Sequence, residues 1–144
     1  MNRFIKYICP LLFCCLIMLI SGCGRYDEHV MQVRNGIMLI NEVVPSSIAP
    51  NAPKIGDAFD QLLKDGNWRS FETSSRQRIV EYNGTIVQSN TKQQHKILMQ
   101  FMQQHGRYVL SYFELDGQPQ NQLSAIGFIN GILSHYVPPT TKKK

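Results

Sequence analysis

KILMQFMQQHGRYVLSYFEL, residues 96–115, holds two apolar and aromatic runs on either side of Gln103-Gln104-His105-Gly106. Glycine reaches positive φ without steric cost, so this break predicts a tight hairpin turn. Residues 96–102 are apolar on both faces, which predicts a central strand. Residues 107–115 are rich in aromatics and predict its neighbour. Strands joined by a short turn must run antiparallel. Strict alternation along 107–115 places Tyr108 and Tyr112 on one face, with Val109 and Phe113 on the other.

Working toward the amino terminus, residues 78–87 predict another strand. Val80, Tyr82 and Ile86 share one face; Glu81 beside Tyr82 is read as alternating outward, with a buried acid as the alternative. Residues 68–73 predict a strand before the Ser74-Ser75 turn. Ahead of it, residues 55–66 read as a short helix. Phe59, Leu62 and Leu63 share a face, Asp57 and Asp60 suit the positive end of the helix dipole, and Gly66 is the expected left-handed stop. Beyond Asp116-Gly117, Pro119 is expected to open a second helix, because a missing N–H costs nothing there. Its expected buried stripe is Leu123, Ile126, Ile129, Asn130 and Leu133, and Pro138-Pro139 end it. Helices and strands are segregated along the chain. The expected fold is therefore α+β: a helix, a four-stranded antiparallel meander sheet, and a C-terminal helix packed on the sheet, over residues 53–138.

Residues 1–22 have the zoning of an export signal. Arg3 and Lys6 make a positive start, an apolar run follows to Ile20, and Ser21 and Gly22 are small. The uncharged run 7–22 is shorter than the roughly 20 residues needed to span a bilayer. Ile20-Ser21-Gly22-Cys23 resembles the lipobox of bacterial lipoproteins. The resemblance implies a diacylglyceryl group on the Cys23 sulfur, cleavage before Cys23 and acylation of the new amine. Gly24 stands where such lipoproteins carry an aspartate for inner-membrane retention, so the resemblance implies the outer membrane. Cys9, Cys14 and Cys15 would leave with the signal. The mature domain then has no thiol for a disulfide or a cysteine-ligated metal.

Without residues 1–22 the chain keeps 13 basic and 10 acidic side chains, and the excess equals Lys142, Lys143 and Lys144. The rest is balanced, with no sustained basic face for nucleic acid. Residues 139–144 read as a basic, solvated tail. Residues 23–52 read as a lipidated N-terminus and tether, closed by Pro45, Pro50 and Pro53. Val30, Val33, Ile37, Ile40 and Val44 have helical spacing, cut by Asn35-Gly36. This stretch either docks on its own domain or binds a partner.

No motif for chemistry stands out. His29, His95, His105 and His135 are scattered, with no metal-ligand spacing, and there is no GxSxG elbow. Asp57 and Asp60 are explained by the helix dipole. Gly127 and Gly131 form a GxxxG that would let the last helix lie close on the sheet. No catalytic residue, metal or cofactor is assigned. The candidate partner-binding surface is Tyr108 and Tyr112 on the sheet with Val33 and Ile37 in the tether, since tyrosine offers rigid area with a polar tip.

Val33-Arg34-Asn35-Gly36, Ile55-Gly56-Asp57-Ala58-Phe59-Asp60, Trp68-Arg69-Ser70-Phe71 and Arg78-Ile79-Val80-Glu81-Tyr82-Asn83-Gly84 together resemble a pattern in small, uncharacterised lipoproteins of Gram-negative bacteria. That resemblance implies an envelope location and no activity. The expectation is a lipid-anchored, non-enzymatic binding or accessory module in the envelope, held to the membrane through Cys23. It would meet a protein partner in a secretion, conjugation or envelope-assembly system. The alternative is an inhibitor or immunity-type protein against a wall-directed hydrolase, and after that an enzyme. The polar loop 88–95 does not look like an inhibitory plug. Cys23→Ala is expected to abolish incorporation of labelled palmitate and to leave the precursor uncleaved, read by metabolic labelling and gel mobility.

Overall fold

The computed structural model describes residues 26–139. Cys23, the expected signal 1–22 and residues 140–144 of the expected basic tail lie outside the described residues. Helix α1 (Glu28–Asn35) leads into strands β1 (Gly36–Leu39) and β2 (Glu42–Pro45), and a 3-10 turn (Ser46–Ile48) follows. Then come α2 (Ile55–Leu62), β3 (Lys64–Glu72), β4 (Arg78–Val87), β5 (Gln94–Gln104), β6 (Arg107–Leu115), β7 (Gln118–Pro119) and α3 (Gln122–Ser134). The sheet is antiparallel throughout, in the order β1-β2-β6-β5-β4-β3. β7 pairs with the edge of β6 that also carries β2. The fold is α+β, and the four expected strands are the consecutive meander β3 to β6. The turns at His105-Gly106 and Asp116-Gly117 have positive φ at both residues, the geometry that matches the twist of a two-residue hairpin.

The tether is shorter than its prolines suggest. Residues 28–45 are folded into the domain, which starts by Asp27 and not near Pro53. Asp27 caps α1 by accepting from Val30 N at 2.9 Å, and its other oxygen accepts from Ser70 Oγ at 2.6 Å. Val30 and Val33 enter the core. The Asn35-Gly36 break is real, but it converts helix to strand, and β2 then pairs Val43 with Tyr108. Prolines 50 and 53 punctuate the loop into α2.

Three local expectations change. The helix α2 ends at Leu62 because Leu63 turns extended at its C-cap, and the left-handed φ of 53° falls on Asp65, inside β3, not on Gly66. Gly66 lies in β3, where a Cβ would meet the Tyr82 hydroxyl at 2.8 Å. Pro119 pairs in β7, and Asn121 caps α3 by accepting from Ser124 N. The buried residues of α3 are Ala125, Ile129 and Ile132, while Leu123 is 80% exposed and Asn130 faces solvent. Only Ile129 is common to the expected and observed buried sets. Gly127 and Gly131 have no atom within 4 Å of a would-be Cβ, so the GxxxG does not draw the helix onto the sheet.

The three α-helices among the described residues bury their apolar residues against one sheet face. There Trp68, Val80, Tyr82, Met99, Phe101, Tyr108, Leu110 and Phe113 form the core. At the centre Trp68 stacks with Phe59 at 5.5 Å and with Phe101 at 6.3 Å, and Tyr82 packs against both Phe59 and Trp68 at under 5 Å. Such pairs add about 0.5–1.5 kcal/mol each beyond burial. Gly84 leaves room for the Tyr82 ring: a Cβ would sit 2.5 Å from the hydroxyl and 2.8 Å from ring carbons. Gly84→Ala is expected to cost about 1–3 kcal/mol by overpacking. Adding Tyr82→Phe should recover part of that loss, read as the midpoint of thermal unfolding.

Candidate functional site

Two surfaces combine polar chemistry with built geometry. The first is a cleft of about 530 Å³ between α1, α2 and the start of β3. Arg34 of α1 forks onto Asp60 of α2 with N–O distances of 3.1 and 2.6 Å. Its guanidinium also lies 4.6 Å from the Tyr26 ring centre and 5.6 Å from that of Trp68. The Asp60 hydrogen bond raises the Arg34 pKa further despite partial burial, so the charge is permanent. Asp57, Asp60 and Asp65 outnumber this one cation on the cleft wall. The Tyr82 hydroxyl is held protonated, first by burial and then by the Asp60 charge. Among the described residues Trp68 Nε1 is buried without a hydrogen-bond partner.

The second surface is the sheet face turned away from the helices. Register places Phe71, Ile79, Met102 and Val109 side by side across β3, β4, β5 and β6. Next to this apolar row run Arg69, Glu81, Gln100 and Tyr112. Glu81 is only 2% exposed although it faces away from the core. Its side chain alternates outward as expected, but its neighbours close over it. Arg69 Nε donates to it at 2.8 Å, Asn83 at 2.9 Å and Gln100 at 2.7 Å. Arg69 in turn lies 5.3 Å from the Phe71 ring. Burial alone would raise the Glu81 carboxyl, but these hydrogen bonds and the Arg69 charge hold it below the ordinary glutamate value. Tyr112 donates its hydroxyl to Glu114 at 2.8 Å.

The expected partner surface is divided by this architecture. Val33 and Tyr108 are fully buried and Ile37 nearly so. These three are withdrawn from any surface of the folded domain, and Tyr112 alone remains half-exposed. The cause of the tyrosine split is a β-bulge. Tyr112 pairs with Gln100 and Leu110 with Phe101, leaving Ser111 as the extra residue, and Ser111 Oγ donates to the Gln100 carbonyl. One inserted residue inverts the side-chain alternation. Tyr108 therefore points into the core, within 2.8 Å of His29 Nδ1, while Tyr112 points out. Large apolar and aromatic residues fill both halves of β6, so a period-two reading has no signal for the shift.

The remaining candidates are structural. His95 bonds Asp116 at 2.6 Å across the β5 and β6 ends, and His135 Nδ1 lies 2.7 Å from the Gly131 carbonyl. Asp57 sits in the first turn of α2. No three His, Cys, Asp or Glu gather to hold a metal among the described residues, and no helix there is long and apolar enough to cross a membrane. The Glu81 hub was missed because it needs Arg69, Asn83 and Gln100 from three strands. No protein-family model, curated protein or solved structure matches the chain.

A carboxylate held below its unfolded pKa stabilises the fold above about pH 4.3 and loses that contribution as the pH falls through its folded value. Wild type is therefore expected to exceed Glu81→Gln in stability at pH 7, with the gap closing in acid. Urea midpoints measured from pH 7 to pH 3 check this. Glu81→Ala should cost about 2 kcal/mol at pH 7, since it orphans the Asn83 and Gln100 amides.

Proposed function

We propose that the mature chain is a lipid-anchored envelope protein, held in the outer membrane by acyl chains on Cys23, that acts as a non-enzymatic binding or accessory module. Its partner is another envelope protein, in a secretion, conjugation or envelope-assembly system. The observation that carries the reading is the apolar row on the sheet face turned away from the helices, where Phe71, Met102 and Val109 are half-buried beside the half-buried Tyr112 and Ile79 is buried between them. Tyrosine and apolar side chains framed by a satisfied polar network suit protein contact. Water leaves the apolar row at a gain of about 25 cal/mol per Å², and the Glu81 hub has no stranded group to desolvate.

A photo-crosslinking residue placed at Met102 in living cells is expected to capture one stoichiometric envelope protein. Met102→Glu should abolish its co-purification with little change in melting temperature. A wall hydrolase as the captured species would instead favour the inhibitor reading. Co-purification unchanged by Met102→Glu would remove the sheet face from the interaction.

A further inference from the structure

The lipid-anchored reading, on which this inference rests, combines with the early start of the domain to constrain its orientation. Only two residues, Gly24 and Arg25, separate Cys23 from Tyr26, the first described residue, so three Cα-to-Cα steps join them. A chain spans at most about 3.6 Å per residue, so Cys23 lies within about 11 Å of Tyr26. A domain of this size is roughly 35 Å across. A tether much shorter than the domain's radius cannot wrap around it. Only a face that borders the start of α1 can meet the bilayer.

That border carries most of the exposed large apolar side chains. A groove of about 810 Å³ runs along α1, from Glu28 past Met31, to β1, β2 and the 3-10 turn. Met31, Leu39 and Ile48 line it and are 38%, 56% and 64% exposed. Next to Leu39, Ile40 is 72% exposed at the hairpin tip, with a φ of 59°. A β-branched residue is rarely held there, since its side chain crowds the backbone in the left-handed region. The tip thus combines an exposed apolar side chain with an unfavourable backbone, a pairing that water does not reward. Leu123 and Val137 are just as exposed, but they belong to α3 and the segment after it and do not line this groove.

We infer that this face, Met31, Leu39, Ile40 and Ile48, seats on the lipid bilayer beside the acylated Cys23, so that the domain lies against the membrane in one orientation. Apolar side chains entering the boundary of headgroups and acyl chains add to the hold of the lipid anchor. The outer sheet face, on the meander strands β3 to β6, is then left accessible to a partner while the protein is anchored.

The test uses the processed, lipidated protein. It carries no free thiol once Cys23 is acylated, so a single added cysteine takes an environment-sensitive fluorophore uniquely. Leu39→Cys, Ile40→Cys and Ile48→Cys are labelled and reconstituted in phosphatidylethanolamine–phosphatidylglycerol vesicles, with Leu123→Cys and Val137→Cys as controls. The expected result is a blue-shifted emission at 39, 40 and 48, quenched by lipids bearing a shallow doxyl group. Positions 123 and 137 should stay in water. Vesicle-bound protein with all five labels in water, or all five quenched alike, overturns the single seated face while leaving the lipid anchor in place. Protein that does not float with the vesicles overturns the anchor reading, and the seated face falls with it. Ile48→Asp in the unlabelled, lipidated protein gives an independent readout: it should raise susceptibility of the 36–50 segment to added protease on vesicles relative to wild type.

Discussion

Trp68 sits between Phe59 of α2 and Phe101 of β5, and the Arg34 guanidinium of α1 faces its ring while forking onto Asp60. These few groups join α1, α2 and the sheet. Neither α1 nor α2 exceeds eight residues, and isolated helices that short do not persist in water. Their stability comes from the apolar face they bury here and from the charge pair that closes over it. Arg34 is suited to this place because its planar cation stacks on aromatic rings while its fork meets a carboxylate, which a lysine does not do. The cleft beside it is a consequence of the same packing. Gly66 and Gly84 leave the Tyr82 ring its slot, and α2 and the start of β3 leave three aspartates on the wall.

The second constraint is the bulge at Ser111. Before it, Tyr108 and Leu110 face the helices. After it, Phe113 does, and Tyr112 joins the opposite face. Without that shift Phe113 would turn away from Phe128 of α3, which it now meets at 4.9 Å. The bulge therefore lets one strand serve α1 at one end and α3 at the other. It also gives the outer face its tyrosine, next to a carboxylate buried by three donors. Such a hub orders Arg69, Asn83 and Gln100 at a modest cost, because each partner is satisfied.

The surfaces of the domain differ in chemistry. The helix-covered face is core. The outer sheet face carries a framed apolar row suited to a partner, and the groove along α1 carries exposed apolar side chains close to the point where the chain enters the domain. On the proposed lipid-anchored reading, a tether of a few residues, as opposed to thirty, would make the arrangement of these surfaces matter. A long linker would average over orientations, whereas a short one selects among them.

Local order was legible in the residues themselves. β4 and β6 begin and end where their alternation and flanking turn residues place them, and the hairpin at 105–106 and the Asn35-Gly36 break follow from what glycine and short polar residues permit. The α+β class followed from the segregation of periods, because period and turn chemistry are properties of neighbouring residues. What lay beyond reach depends on residues far apart in the chain. Docking of residues 28–45 rests on contacts of Asp27, Val43 and His29 with β3 and β6. Burial of Glu81 rests on donors from three strands. The inward turn of Tyr108 rests on a single unpaired residue that only the register with β5 reveals. Covalent neighbours decide which conformations are open to a segment. Packing against distant segments decides which of its faces meets water, and so which of its residues are free to bind.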